Sequence, residues 1–245
     1  MSTLILFLTF SGLTLAGLLR EEGRRRLLGR SGDEWLLDLA GLFIQGVVVP
    51  ALPFVTAPLL AIAFPTLDRS LELNAPQQFL LSFVAVDYLY YWNHRVFHSR
   101  RFWALHRVHH SARHLDVLVT SRNSVLTSFL FVYVWAQTMA LFLLEDGAAF
   151  SLGLALTFAL DLWRHSGAAV PPGARALLAP VLILPAQHVL HHSLPGRNRN
   201  FGANLCWWDK LHGTFSPEEV PNRNLEKSHA TDVWRELFAP WRCRP

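Results

Sequence analysis

Charge is scarce in this chain. Asp, Glu, Lys and Arg make up 16% of the 245 residues, where a soluble domain carries about 25%. With 51% hydrophobic residues and a mean hydropathy of +0.25, the shortage argues against an ordinary soluble domain and points to a membrane protein. Lysine is nearly absent: Lys210 and Lys227 are the only two, so the formal charge of +4 is carried by arginine. A lysine-poor, arginine-rich chain fits a GC-rich bacterial genome. No basic run is interleaved with aromatics as a nucleic-acid groove requires, so no nucleic-acid partner is expected and the arginines read as membrane-flanking. Cysteine is limited to Cys206 and Cys243, which rules out a disulfide framework and a thiolate metal site. No histidine pair encloses a glutamate in the H-E-x-x-H pattern of a zinc hydrolase. Neither a Ser nor a Cys nucleophile stands in a recognisable setting, and there is no internal repeat.

What the chain has is histidine. Between Asp87 and His114 lie His94, His98, His106, His109, His110 and His114, half of the twelve histidines present. His94 and His98 are i,i+4, so one helical face carries both. His106, His109 and His110 form H-x-x-H-H, and His188, His191 and His192 repeat that pattern far downstream. A single imidazole readily finds an ordinary hydrogen-bond partner, but eight at these spacings predict a metal cluster. Neutral imidazole suits Fe, Zn, Cu and Ni. Eight ligands exceed the four of one tetrahedral zinc, so two metals are expected.

In chain order, Thr3 to Leu19 is apolar, and Arg20, Arg24, Arg25, Arg26 and Arg30 follow it. Arginines after the run, not before it, predict an uncleaved anchor with its N-terminus outside. Trp35 to Phe64 is longer than one straight span and is interrupted by Pro50, Pro53 and Pro58. A kinked crossing and a re-entrant hairpin both fit it locally. Downstream charge selects one crossing: 65–76 looks external, and the arginine-rich histidine region looks cytoplasmic. Gln77 to His98, Val125 to Leu144 and Ala148 to Trp163 are the third, fourth and fifth expected spans. Leu177 to Ala186 is too short to cross and is expected to lie in the interface. The expected fold is all-α: a multi-pass transmembrane helical bundle with a cytoplasmic histidine-rich helical cap. Residues 1–78 would form the anchor and proline-broken region, 79–215 the histidine-box domain, and 216–245 a cytoplasmic tail with a short amphipathic helix near Asp232 to Phe238.

Two divalent metals on neutral imidazoles bring about +4 of charge. Asp87, Asp161 and Asp209 are candidate counterweights, hydrogen-bonding the distal N–H of ligating histidines. Asp87 lies inside an expected span, where a carboxylate is costly unless partnered; a plain helix–helix hydrogen bond is its other reading. Asp161 is i,i+4 to His165 and could orient it. A redox pair with an open face can bind O2 and attack a C–H bond, and an apolar substrate could reach it from the lipid.

These residues resemble the fatty acid hydroxylase/sterol desaturase superfamily of integral-membrane di-iron oxygenases. The matching stretches are D87-x(3)-Y91-x(2)-H94-R95-x(2)-H98, W103-x(2)-H106-x(2)-H109-H110-S111, H165-S166-G167 and H188-x(2)-H191-H192. N200-F201-G202 and W208-D209-x(2)-H212-G213-T214 continue the match. The resemblance implies a di-iron centre held by His94, His98, His106, His109, His110, His188, His191 and His192, with His165 as a ninth ligand. Asp87, Tyr91, Asp161, Asn204 and Asp209 are the candidate supporting residues. It also implies O2 as oxidant and two electrons from a separate donor of ferredoxin or cytochrome type. The substrate would be lipid-like, such as a sterol or hopanoid, a fatty acyl chain or a carotenoid, and would be hydroxylated or desaturated. Two iron ions are the expected cofactors, with zinc able to substitute, and the bacterial inner membrane is the expected location. The chain departs from the family at Arg122-Asn123-Ser124, where relatives carry a histidine, and at His212, where phenylalanine is usual. His212, His114 and His229 are not expected to be ligands. The competing class is a non-catalytic metal-binding protein or transporter. A transporter would hold its ligands near mid-membrane, whereas these gather at one end of the expected spans.

Overall fold

In a computed structural model the chain is described over residues 2–223, 225 and 232–242; His229, Cys243 and most of 224–231 lie outside the described residues. The described backbone is helical, with only isolated bridges at Leu71–Leu144 and Leu182–Leu205. Helix α1 (Ser2–Leu18) turns through 101° into α2 (Glu21–Leu28) at the first arginines. A capping box of Ser31 and Glu34 then starts α3, Gly32–Ala63. At 32 residues, mean hydropathy 2.0 and 11% burial of its apolar window, α3 is long and apolar enough to cross a membrane, and its apolar surface mostly faces outward.

The proline-rich stretch is thus one helix, not a hairpin. A π-helical turn at Ile44–Val48 sits directly before Pro50. Such a turn shifts the hydrogen-bond register where proline cannot donate. Helix α4 (75–97) begins at an Asn74–Gln77 capping box and contains a similar turn at Leu81–Ala85.

The expected span from Val125 to Leu144 is not continuous. It breaks at Phe131, which is extended (φ −69, ψ 135), into Val125–Leu130 and α5 (Val132–Leu143). Asn93 of α4 holds the break open from both sides: its Nδ2 donates to Leu130 O (3.2 Å), and its Oδ1 accepts from Val132 N (3.3 Å). A side-chain amide brought in by packing thus replaces two intrahelical partners, which hydropathy could not reveal.

Helix α6 (Ala148–His165) is the centre of the bundle, packing on α1, on the first half of α4 and on α7 (Pro185–His191). Gly153 makes the α4 approach close, since a Cβ there would stand 2.0 Å from Ser82 Oγ. The second half of α3 lies along α5, joined by Thr56 and Thr138 hydroxyls 3.0 Å apart. The apolar core of this end is Val86, Tyr133, Ala140, Leu144, Phe150 and Leu154. The tail helix α8 (Val233–Phe238), capped by Asp232, buries Val233 and Leu237 against Leu37 of α3. The histidine-bearing ends of α4, α6 and α7 therefore meet beside the start of α3.

Candidate metal centre

Nine buried or half-buried histidines gather into two sets. His94, His98, His106, His110 and His191 form one, and His109, His165, His188 and His192 the other; within each, the candidate ligand atoms lie within 4.8 Å of one another. His94 comes from α4 and His98 caps its end; His188 and His191 come from α7, with His192 as cap. His165 ends α6.

The middle box is not one helical face, contrary to the spacing argument. His106 ends the short helix Trp103–His106, while His109 and His110 begin a single 3₁₀ turn, His109–Ser111. Neither H-x-x-H-H forms a site by itself. Adjacent helical side chains diverge by about 100°, so His109 and His110 point into different sets, as do His191 and His192. The sets touch, with His110 and His192 stacked at 4.2 Å between ring centroids.

Backbone carbonyls orient several rings. His94 Nδ1–H donates to Phe201 O (2.8 Å), His109 to Arg122 O (3.2 Å), His165 to Asp161 O (2.9 Å) and His191 to Arg199 O (2.6 Å). Each bond fixes the tautomer and turns the Nε2 lone pair inward. There His94 Nε2 meets His106 Nε2 at 3.0 Å and His191 Nε2 at 3.2 Å; His165 Nε2 meets His109 Nε2 at 3.1 Å and His188 Nε2 at 3.0 Å.

This donor set fits metal ions. Lone pairs converging at 3.0–3.2 Å repel unless something positive lies between them, and metal–nitrogen bonds of about 2.0–2.1 Å place ligand atoms at about this separation. Both ring nitrogens of His98, His110 and His192 are buried without a hydrogen-bond partner, a costly state that coordination would relieve. Burial first, then neighbouring imidazoles, hold His110 and His192 well below the usual histidine range. Burial brings His191 down to about 3, although its bond to Arg199 opposes the shift. The rings are therefore neutral at pH 7, as ligands must be.

The acids act mainly through the backbone. Asp209 accepts from Phe201 N (2.8 Å), Gly202 N (2.7 Å) and Thr214 Oγ1 (2.6 Å), fixing the segment whose Phe201 carbonyl holds His94. Tyr91 joins that network through Thr214 at 3.0 Å. Asp87 accepts from Asn204 N (2.8 Å), Leu205 N (3.1 Å) and Trp208 Nε1 (2.8 Å). For Asp87 and Asp209, the expectation of bonding a histidine N–H directly is thus corrected: each pins the loop after the last box. Asp161 does approach His165 Nδ1 with its side chain, at 3.2 Å. The Asn204 amide donates to Thr157 Oγ1 at 2.7 Å. His212 stands apart from both sets, packed on Tyr88, Tyr91 and Trp92, and His114 lies 3.5 Å from Asp116.

Sequence reasoning missed Asp38. This fully buried carboxylate at the start of α3 pairs with Arg122 (2.6 Å) and Arg30 (2.9 Å), and Arg30 continues to Asp116 (2.6 Å). Arg122 carries the carbonyl that anchors His109. Asp38 is the one acid inside the apolar 35–64 stretch, so the rule that singled out Asp87 could have found Asp38 too.

A profile of the fatty acid hydroxylase family matches residues 79–214, more than half of the chain. Among curated proteins, an alkylglycerol monooxygenase of Danio rerio is 33% identical over 144 residues, which is 56% of this chain and 30% of the relative. The Homo sapiens alkylglycerol monooxygenase is 30% identical over 155 residues (61% and 33%). An ornithine lipid hydroxylase, OlsE, of Rhizobium tropici is 30% identical over 196 residues (76% and 57%). The chain spans about a third of the length of the two monooxygenases. No solved structure matches it significantly.

Proposed function

Since the chain belongs to the fatty acid hydroxylase family, we propose that it is a membrane di-iron oxygenase that uses O2 and two electrons to hydroxylate a C–H bond of a lipid. Desaturation is the close variant, because both begin with removal of the same hydrogen. The observation that carries the reading is the meeting of nine imidazoles from four distant segments in two touching sets. Relatives named for an alkylglycerol and an ornithine lipid favour a substrate with a long hydrocarbon chain beneath a polar head.

Iron bound by such sets supplies the one-electron chemistry that activates O2 toward an unactivated C–H bond. His94, His98, His106, His110 and His191 would hold one ion, and His109, His165, His188 and His192 the other. The carbonyls of Phe201, Arg122, Asp161 and Arg199 keep four rings aimed, and burial keeps His110, His191 and His192 unprotonated. Asp87 and Asp209 keep the 200–209 loop closed over the five-histidine set. Membranes of cells with and without the gene, compared by lipid mass spectrometry, test the reaction: a lipid lacking one oxygen should accumulate when the gene is absent.

Purified protein should hold about two metals per chain, iron in the active form. Acidification should release them. The folded rings resist protons that unfolded histidines take up below about pH 6.5, so stability is fully present above that pH and falls as pH drops. Metal content and Tm between pH 7.5 and 5 check this, and a centre unmoved over that range would contradict buried neutral ligands.

For placement, we propose five crossings of a bacterial inner membrane, with the histidine-rich cap in the cytoplasm. Reporter fusions at Gly32 and Asn74 should read inside and outside. An inside reading at Asn74 would mean that α3 does not cross.

A further inference from the structure

Electrons for the reaction proposed above must come from outside the cluster, and Trp103 is an aromatic side chain that links the cluster to an arginine-bearing surface. Trp103 opens the short helix that ends in His106. Its ring lies against two imidazoles of the five-histidine set, with centroids 5.2 Å from His98 and 5.1 Å from His110. The Arg197 guanidinium covers the indole, 4.6 Å from its centroid. Phe97 lies against His106 and Phe201 against His98, but they are 4% and 3% exposed, and half-buried Tyr90, against His94, packs on the apolar core. Trp103 is only half-buried.

The chain on either side of Trp103 is rich in arginine. Arg100 and Arg101, in the turn before it, are exposed. Phe102 beside it and Leu194 in the Arg197 turn add exposed apolar surface, at 37% and 63%. From 88 to 115 the chain has five arginines and no acid, and from 189 to 208 two arginines and no acid. A small apolar centre beside the exposed Arg100 and Arg101 suits a transient partner of opposite charge, since such charge speeds encounter more than it tightens the complex. Arginines also flank membranes, but a membrane contact gives no reason for an indole to bridge the surface and two candidate ligands.

We propose that Trp103, with Arg100, Arg101 and Arg197 around it, is the docking face and electron entry for an acidic one-electron carrier protein, of iron–sulfur or haem type, and that electrons reach the five-histidine set first. The proposal rests on the di-iron reading. Each docking event oxidises one carrier by one electron and reduces the metal centre by one. Two successive carriers supply the two electrons of a turnover, and no bond is made or broken in the transfer.

Two measurements test it, both on the full chain in neutral phosphatidylcholine nanodiscs. The first is binding of an acidic [2Fe–2S] ferredoxin to the protein as purified. Affinity should fall with salt, and the double variant Arg100→Glu/Arg101→Glu should weaken it about tenfold or more and remove the salt dependence. The second is stopped-flow reduction of the iron-loaded protein by reduced ferredoxin or by dithionite, which needs no docking. Trp103→Leu should bind ferredoxin normally yet lose ferredoxin-driven reduction, with dithionite reduction retained and Trp103→Phe restoring part of the rate. Absence of salt-dependent binding to the wild-type protein, undiminished binding by the double variant, or full ferredoxin-driven reduction of Trp103→Leu would each overturn the proposal. So would a double variant that loses only attachment to phosphatidylglycerol vesicles, which would make the face a membrane contact. Failure to load iron would instead sink the di-iron reading, and the binding measurement would still decide the docking face.

Discussion

His191→Ala and His109→Ala should each abolish lipid oxidation, and each should weaken a different metal site. His191 belongs to the five-histidine set and His109 to the four-histidine set, so His109→Ala should retain close to one metal per chain and His191→Ala between one and two. In His109→Ala only three imidazoles of that set remain, so that metal should be lost most fully. In His191→Ala four remain, and metal loss should be weaker although oxidation still fails, because the His94–His191 contact of 3.2 Å is gone. Product per chain in membranes at matched expression gives the first readout, and metal analysis of purified protein the second. Full oxidation by either variant would remove that histidine from the ligand set. Equal loss of both metals in the two variants would mean that the sets are not separable.

Asp38→Ala should be the most destabilising change outside the histidines. It leaves Arg30 and Arg122, 9% and 2% exposed, without the carboxylate that lies between them. Removing one partner of a buried pair costs about 3–5 kcal/mol, a fall in Tm of roughly 6–20 °C for a chain of this size. The exposed Arg25–Glu21 pair, with side chains 78% and 69% accessible, is the control, since Glu21→Ala should cost less than about 1 kcal/mol. Because Arg122 also presents the carbonyl that anchors His109, Asp38→Ala should loosen the four-histidine metal before the other. Gly41 belongs to the same junction, where a Cβ would stand 2.1 Å from Ser121 O. Thermal unfolding in detergent reads the first effect and competitive chelation the second. A Tm within about 2 °C of wild type would show that water or Asp116 compensates for the lost carboxylate.

The helical class, the apolar helix at Gly32–Ala63 and eight of the nine clustered histidines were legible from composition, hydropathy and spacing, because each is a local property of the chain, whereas His165 came only from the family resemblance. Only the tertiary structure decided how the histidines divide. The boxes suggested groups of neighbours, but adjacent residues on a tight helix diverge, so each H-x-x-H-H feeds both sets and His165 arrives from a separate helix to complete the second. The break at Phe131 was equally hidden, because it depends on Asn93, 38 residues earlier in sequence and adjacent in space. Asp38 lies 84 residues from Arg122, and Asp87 is 117 residues from the backbone N–H of Asn204. Spacing along a helix names residues that share a face, but it cannot name a partner brought in by packing, and in this protein those partners aim the rings.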